Sequence, residues 1–157
     1  MQQNHFDMVA LISVPPEDVY AVLADYRHGH PHILPAKYIS QFKVEANGQG
    51  AGTVLRYRMR IFGFAHERRA LVSEPEPGRI LVERETTTSL VTTYAVTPAN
   101  NGLHAHVQIA AHWEPAHTLA GKLEQAFYPS ILRKMFTYEL DALAKLAARK
   151  KRVASSH

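Results

Sequence analysis

Between Tyr38 and Trp113 apolar and polar residues alternate at period two in a series of short runs. On either side of this region the spacing changes to that of helices. The clearest run is Thr53–Phe62, where Leu55, Tyr57, Met59 and Ile61 alternate with Arg56, Arg58 and Arg60. It predicts a strand with one face buried and the other solvated. Phe42 and Val44 mark a strand before it, and Asn47 to Gly52 supply a glycine-rich turn between the two. Gly63 sits near a hairpin, His66–Glu74 returns, and the run from Pro75 to Gly78 turns again. Ile80–Thr87 and Leu90–Thr97 make the next pair. After the turn from Pro98 to Gly102, Leu103–Trp113 is the last strand, with Leu103, Ala105, Val107, Ile109, Ala111 and Trp113 inward. One further strand opens the chain at residues 5–14, with Phe6, Met8, Ala10, Ile12 and Val14 on one face.

Helical patterning follows this first strand at once. Pro15 and Pro16 end the strand, Glu17 and Asp18 suit the positive end of a helix, and Val19, Tyr20, Val22 and Leu23 form its buried side. Asp25 is expected to cap a second short helix that Gly29 and Pro31 terminate. At the other end, Thr118–Tyr128 reads as a short helix, Pro129 as a kink, and the chain from Pro129 to about Lys150 as a long helix. Its apolar residues fall into two neighbouring stripes. Leu132, Phe136, Leu140, Leu143 and Ala147 form the first; Tyr128, Ile131, Met135, Tyr138 and Ala142 form the second. Both stripes can be core, or the second can wall a cavity, since Met and Tyr suit an irregular space better than a tight seam. One strand, two short helices, six strands joined by hairpins and a long helix make an α+β fold. A seven-stranded antiparallel sheet curved around the long C-terminal helix explains the width of that helix's apolar face. By parity, Tyr57, Met59, Tyr94 and Trp113 from the strands should meet Tyr128, Ile131, Met135 and Tyr138 from the helix. These eight are the candidate ligand-binding residues.

At 157 residues the chain is expected to be one domain, residues 1–148, followed by a basic tail at 149–157. The net charge of +4 belongs mostly to that end, where Lys145, Arg149, Lys150, Lys151 and Arg152 occur without an acid. Setting these five aside leaves thirteen of the eighteen basic residues against fourteen acidic ones, so the body is about neutral. A solvated helix end is the plain reading of the tail; contact with an anionic membrane surface or nucleic acid is the alternative, for which Arg149 to Arg152 is short. The absence of cysteine excludes disulfides and thiol catalysis. With no run long enough to span a membrane and no signal-peptide pattern, a cytoplasmic location is expected.

Candidate chemistry is sparse. His28, His30 and His32 invite a metal, but Pro31 prevents a common helix face and Asp25 is committed to capping. They are therefore expected in a polar loop, and no metal or cofactor is implied. His104, His106 and His112 share the face opposite Val107 and Ile109 and are expected in solvent. Glu83 and Glu85, two apart on one strand face, are acid–base candidates if that face is inward. If it is outward, Arg84 points in, and the parity of Ile80 and Val82 favours this second register. No serine occupies a Gly-x-Ser-x-Gly turn. The face that carries Arg56, Arg58 and Arg60 lacks the interleaved aromatics that nucleic-acid binding needs, so no nucleic-acid partner is expected.

The element order and several strings resemble the helix-grip superfamily over nearly the whole chain, to about Leu146. The strings are Ile12 to Tyr20 (ISVPPEDVY), Leu23 to Asp25 (LAD), Val96 to Pro98 (VTP) with Gly102, and Leu140 to Lys145 (LDALAK). The superfamily includes the birch-pollen-allergen fold, START lipid-transfer domains and the polyketide cyclase/dehydrase-like proteins of the SRPBCC group. Ala24 to Pro35 (ADYRHGHPHILP) is also similar, more weakly, to the coenzyme-Q-binding branch. The resemblance implies a cavity between helix and sheet that takes an apolar small molecule such as a lipid, polyketide or quinone. It equally allows a cyclase or dehydratase using that cavity. A protein-interaction module remains a third class, to be distinguished by a filled interior and an exposed apolar patch.

Overall fold

The computed structural model describes residues 3–156. Seven antiparallel strands form one sheet: β1 (Asn4–Ile12), β2 (Ile39–Ala46), β3 (Val54–Ile61), β4 (Phe64–Glu76), β5 (Ile80–Glu85), β6 (Val91–Ala99) and β7 (His104–Trp113). Their spatial order is β1-β7-β6-β5-β4-β3-β2. Each hairpin from β2 to β7 thus pairs neighbours in sequence, and β1 closes the far edge against β7. Helix α1 (Pro16–Ala24) and a 3-10 turn (His30–Ile33) follow β1; α2 (Leu119–Ala126) and α3 (Tyr128–Ser155) follow β7. This is the helix-grip architecture, with α3 on the concave side of the sheet.

Alternation decides which side of each strand meets α3. Leu55, Met59 and Ile61 of β3, Tyr94 and Val96 of β6, and Ala105 to Trp113 at odd positions of β7 are buried. The arginines between them lie on the convex face, where Arg56 meets Glu67 at 2.9 Å and Arg69 meets Glu45 at 2.9 Å. Such exposed pairs each add at most about 1 kcal/mol, so this face supplies solubility more than stability. Leu103, expected to begin the inward row of β7, instead ends the preceding turn and is exposed.

Pro129 acts as anticipated. Phe127 separates α2 from α3, and the proline sits in the first turn of α3, where its missing N–H costs nothing. The helix runs on to Ser155, so the basic residues 149–152 continue it. The first stripe of α3 is buried throughout; the second is buried at Tyr128, Ile131 and Met135 only. Tyr138 is 51% exposed. Of the two positions one turn beyond Met135, residue 139 faces the sheet and residue 138 does not.

The segment after α1 also departs from expectation. The second short helical element starts at His30, where the pattern ended it, because Pro31 fits the first turn of a 3-10 helix. Asp25 caps the preceding turn: its Oδ1 accepts from the backbone N–H groups of Arg27 (3.1 Å) and His28 (3.0 Å), and its backbone carbonyl accepts from Gly29 and His30. Gly29 is required at this point, since a Cβ would lie 2.6 Å from the carbonyl oxygen of Val22. This compact turn delivers His30 to the interior while His28 and His32 remain exposed.

Helix α3 packs on α1, β1 and the 3-10 turn. Those contacts hold it toward one half of the concave face. Strands β2, β3, β5 and β6 meet it across the space that forms the site. No helix among the described residues is long and apolar enough to cross a membrane.

Candidate functional site

The interior cavity has an apolar shell of Leu55, Met59, Leu90, Leu132, Met135 and Phe136. Into this shell project His30, Tyr57, Glu83, Glu85, Tyr94 and Glu139. The space between them is about 40 Å³, room for a few waters. A drug-sized ligand needs roughly 300–1,000 Å³, so its entry requires side chains to move. Met59 and Met135, with their unbranched thioethers, are the ones best able to do so.

The polar residues form two groups. In the first, His30 is 1% exposed. Its Nδ1 lies 2.7 Å from the carbonyl oxygen of Leu23. A carbonyl only accepts, so Nδ1 carries a proton and donates it. Nε2 is thereby left facing the cavity, 3.3 Å from Glu83 Oε2 and 3.4 Å from the Tyr94 hydroxyl. Tyr26 stacks on the imidazole with ring centroids 4.6 Å apart and donates from its hydroxyl to Glu83 Oε2 at 2.6 Å. Tyr94 donates to Glu139 Oε1 at 2.9 Å.

Glu139 is buried with that neutral hydroxyl as its partner, so burial first, and then the nearby Glu83 carboxylate, push its carboxyl up to about 8; the Tyr94 hydrogen bond offsets part of this. At neutral pH Glu139 therefore holds a proton. The hydroxyls of Tyr26 and Tyr94 are held well above the ordinary tyrosine range, first by burial and then by the carboxylates around them. They remain hydrogen-bond donors at any physiological pH.

In the second group Arg68, 2% exposed, donates from Nη1 to Glu85 Oε2 at 2.7 Å. Glu85 also accepts from the Tyr57 hydroxyl at 2.8 Å and from Thr88 Oγ1. Burial works against the charge on Arg68, but Glu85 and Tyr128 outweigh it and keep the guanidinium protonated. Arg68 Nη2 lies 3.5 Å from the Tyr128 hydroxyl, while Arg68 Nε and Trp113 Nε1 have no hydrogen-bond partner among the described residues.

The eight residues read from the pattern are thus divided. Tyr57, Met59, Tyr94 and Met135 line the cavity. Tyr128 and Ile131 wall a tight apolar recess beside it, together with Met59 and Leu132. Trp113 is buried against Tyr128, ring centroids 5.3 Å apart, away from the cavity lining. Tyr138 faces outward and leaves the set. The register of β5 is the reverse of that favoured by Ile80 and Val82: Glu83 and Glu85 point in and Arg84 is exposed. Leu81, fully buried, shares the parity of the two glutamates, and Arg68 from the adjacent strand β4 and Tyr26 from the turn supply partners for their carboxylates. The sequence pattern does not mark His30, Arg68 or Glu139 as site residues. A signal existed for two of them: Arg68 shares the parity of Ala70 and Val72, and Glu139 follows Met135 by four.

Comparisons with known proteins agree with this architecture. A sequence search of curated proteins finds no match. The solution structure of the KanY protein is similar with a TM-score of 0.81 and 29% identity, covering 94% of this chain and 99% of that one. The Zhui aromatase/cyclase from Streptomyces sp. R1128 aligns with a TM-score of 0.79 at 15% identity, over 98% of both chains. Norcoclaurine synthase from Thalictrum flavum, in complex with dopamine and hydroxybenzaldehyde, gives 0.67 at 16% identity, over 94% of this chain and 88% of that one. At such identities the last two likenesses speak for the fold alone. The sequence model described as polyketide cyclase / dehydrase and lipid transport matches residues 3–148, and with the helix-grip fold it establishes that this chain belongs to that family.

Proposed function

We propose that the protein is an acid–base enzyme of the cyclase/dehydratase type, acting on an apolar, polyketide-like carbonyl compound in the cavity between α3 and the sheet. The observation that carries the reading is the convergence of His30, Glu83, Tyr94 and Glu139 on one buried space. A carrier needs only an apolar wall, whereas four polar groups buried together cost stability that an apolar core would not.

The roles follow from the geometry. His30, its Nδ1 proton committed to Leu23, presents Nε2 as the general base that removes a proton beside a carbonyl. Glu83 balances the positive charge that the imidazole then carries. When substrate binds, the protonated Glu139 carboxyl donates to the Tyr94 oxygen in place of the bond it accepts in the empty site, and the freed Tyr94 O–H donates to the oxygen on which negative charge develops. In a dehydration the same pair protonates the departing hydroxyl, so that water leaves as the double bond forms.

The second reading, a carrier without chemistry, is favoured by the aliphatic shell and by the lipid-transport half of the family description. The two separate by deuterium exchange into 2-tetralone, a bicyclic ketone, followed by NMR. The wild type should accelerate exchange, and His30→Gln should lose about a hundredfold of that rate while still binding a neutral apolar fluorophore. A wild type that binds the fluorophore yet exchanges at the buffer rate would leave only the carrier.

A further inference from the structure

Outside the cavity, a second concavity of about 260 Å³ lies between the loop after the 3-10 turn, the end of β3 and the first turns of α3. Its floor is apolar: Tyr38 and Ile131, both recessed and buried, with Phe62 at the side. Its rim is Lys37, Arg60 and Lys134. Among the described residues no carboxylate lies within 4.0 Å of any of these three cations, and none of their side chains makes a hydrogen bond to protein. Arg56, Arg68, Arg69 and Lys145, in contrast, each have an acidic partner. The three are held close by the fold. The backbone N–H of Arg60 donates to the Tyr38 carbonyl at 2.8 Å, which ties the Lys37 loop to the end of β3. Lys134 follows Ile131 by three positions and so shares its helix face. Three like charges around one apolar floor repel one another, and an anion seated among them relieves that repulsion.

This groove is one side chain deep from the site. Ile131, on its floor, also walls the tight recess with Met59 and Leu132, and Met59 and Leu132 line the interior cavity. We propose that the groove binds the anionic head group, phosphate or carboxylate, of an amphiphile whose apolar part enters the cavity past Met59 and Ile131. The inference rests on the reading of the interior as a ligand site and adds the class of ligand: an apolar body with a negatively charged end. A flat anionic surface is a poorer match, because Tyr38 and Ile131 lie below the rim where such a surface cannot reach them.

The test uses displacement of the neutral fluorophore N-phenyl-1-naphthylamine by dodecyl phosphate and by dodecan-1-ol, both below micellar concentration. Dodecyl phosphate should displace it from the wild type at about tenfold lower concentration than the alcohol at low salt, with the advantage shrinking in 0.5 M salt. In Lys37→Ala/Arg60→Ala/Lys134→Ala the ratio should fall to about one. In Arg149→Ala/Lys151→Ala/Arg152→Ala, which removes the same charge elsewhere, it should be unchanged. Equal displacement by the two amphiphiles in the wild type, or an unaltered ratio in the groove variant, overturns the proposal. So does a groove variant that keeps the ratio but no longer sediments with phosphatidylglycerol vesicles, which would assign the cations to a membrane surface. Calorimetry with dodecyl phosphate separates the two readings. Heat of binding without fluorophore uptake would overturn the interior site and keep the head-group site; neither signal would overturn both.

Discussion

Glu85 and Glu139 are carboxyl groups buried in the same concave face, and the molecule treats them oppositely. Glu85 has a guanidinium at 2.7 Å and two hydroxyls around it. Glu139 has, among the described residues, one hydroxyl at 2.9 Å and no cation. Removing a carboxylate from water costs several kcal/mol unless opposite charge and hydrogen bonds replace the solvent. At Glu85 they do, and the group is one half of a structural ion pair. At Glu139 they do not, and the group keeps its proton to about pH 8. Depth in the core is alike at the two positions, so it is the partners that decide whether a buried acid is a strut or a proton donor.

Breaking the strut should have the largest effect. Arg68→Met leaves Glu85 buried without its cation and should cost about 3–5 kcal/mol in urea unfolding. Adding Glu85→Met to it should recover most of that loss, because a packed apolar pair is often as stable as a buried ion pair. Recovery would identify the Arg68–Glu85 pair as structural. A double variant no more stable than Arg68→Met would mean that the hydroxyls of Tyr57 and Thr88 matter more than the cation.

An effect of similar total size, but spread over several pH units, should expose the proton on Glu139. Its carboxyl is raised in the folded state from 4.5 to about 8, so the folded protein binds one more proton than the unfolded chain between those values. The stabilisation from that proton is complete below about pH 4.5 and is lost as pH rises to 8. Relative to Glu139→Gln, which cannot ionise, the wild type should lose about 1.4 kcal/mol per pH unit across this window and nothing further above it. Urea midpoints of both proteins at pH 5, 6, 7, 8 and 9 measure the difference. Parallel curves would mean that Glu139 holds no extra proton in the folded protein and that the contrast with Glu85 is wrong.

The smallest effect belongs to the turn that carries His30. Asp25→Ala removes the acceptor for the Arg27 and His28 backbone N–H groups and should cost about 1 kcal/mol. It keeps the backbone carbonyl that holds Gly29 and His30, so fluorophore binding and ketone exchange by the folded variant should stay near wild type. Lost exchange at native stability would make Asp25 part of the site.

The fold was legible because its signals are local and repeated. Tyr57, Met59 and Ile61 alternate with arginines on β3, Pro129 separates α2 from α3, and a strand or helix built on such a pattern has one side to bury. Half of the anticipated lining, Tyr57, Met59, Tyr94 and Met135, follows from the same parity. The site's chemistry was not legible, because a charged residue on a buried face reads like a solvated one until its partner is known. Arg68 and Glu85 lie seventeen residues apart, and Glu139 lies forty-five from Tyr94. Between Tyr138 and Glu139 the sequence would choose the aromatic for the interior, whereas the rotation of α3 against the sheet chose the acid. His30 is the sharpest case: amid His28, Pro31 and His32 it reads as loop, and only the turn pinned by Asp25 and Gly29 aims its Nε2 at Glu83. Alternation and proline placement in the sequence thus determined a curved sheet gripping a long helix. Which polar side chains meet inside, and which of them keep their protons, was decided by tertiary packing, because desolvation and charge pairing depend on neighbours distant in the chain.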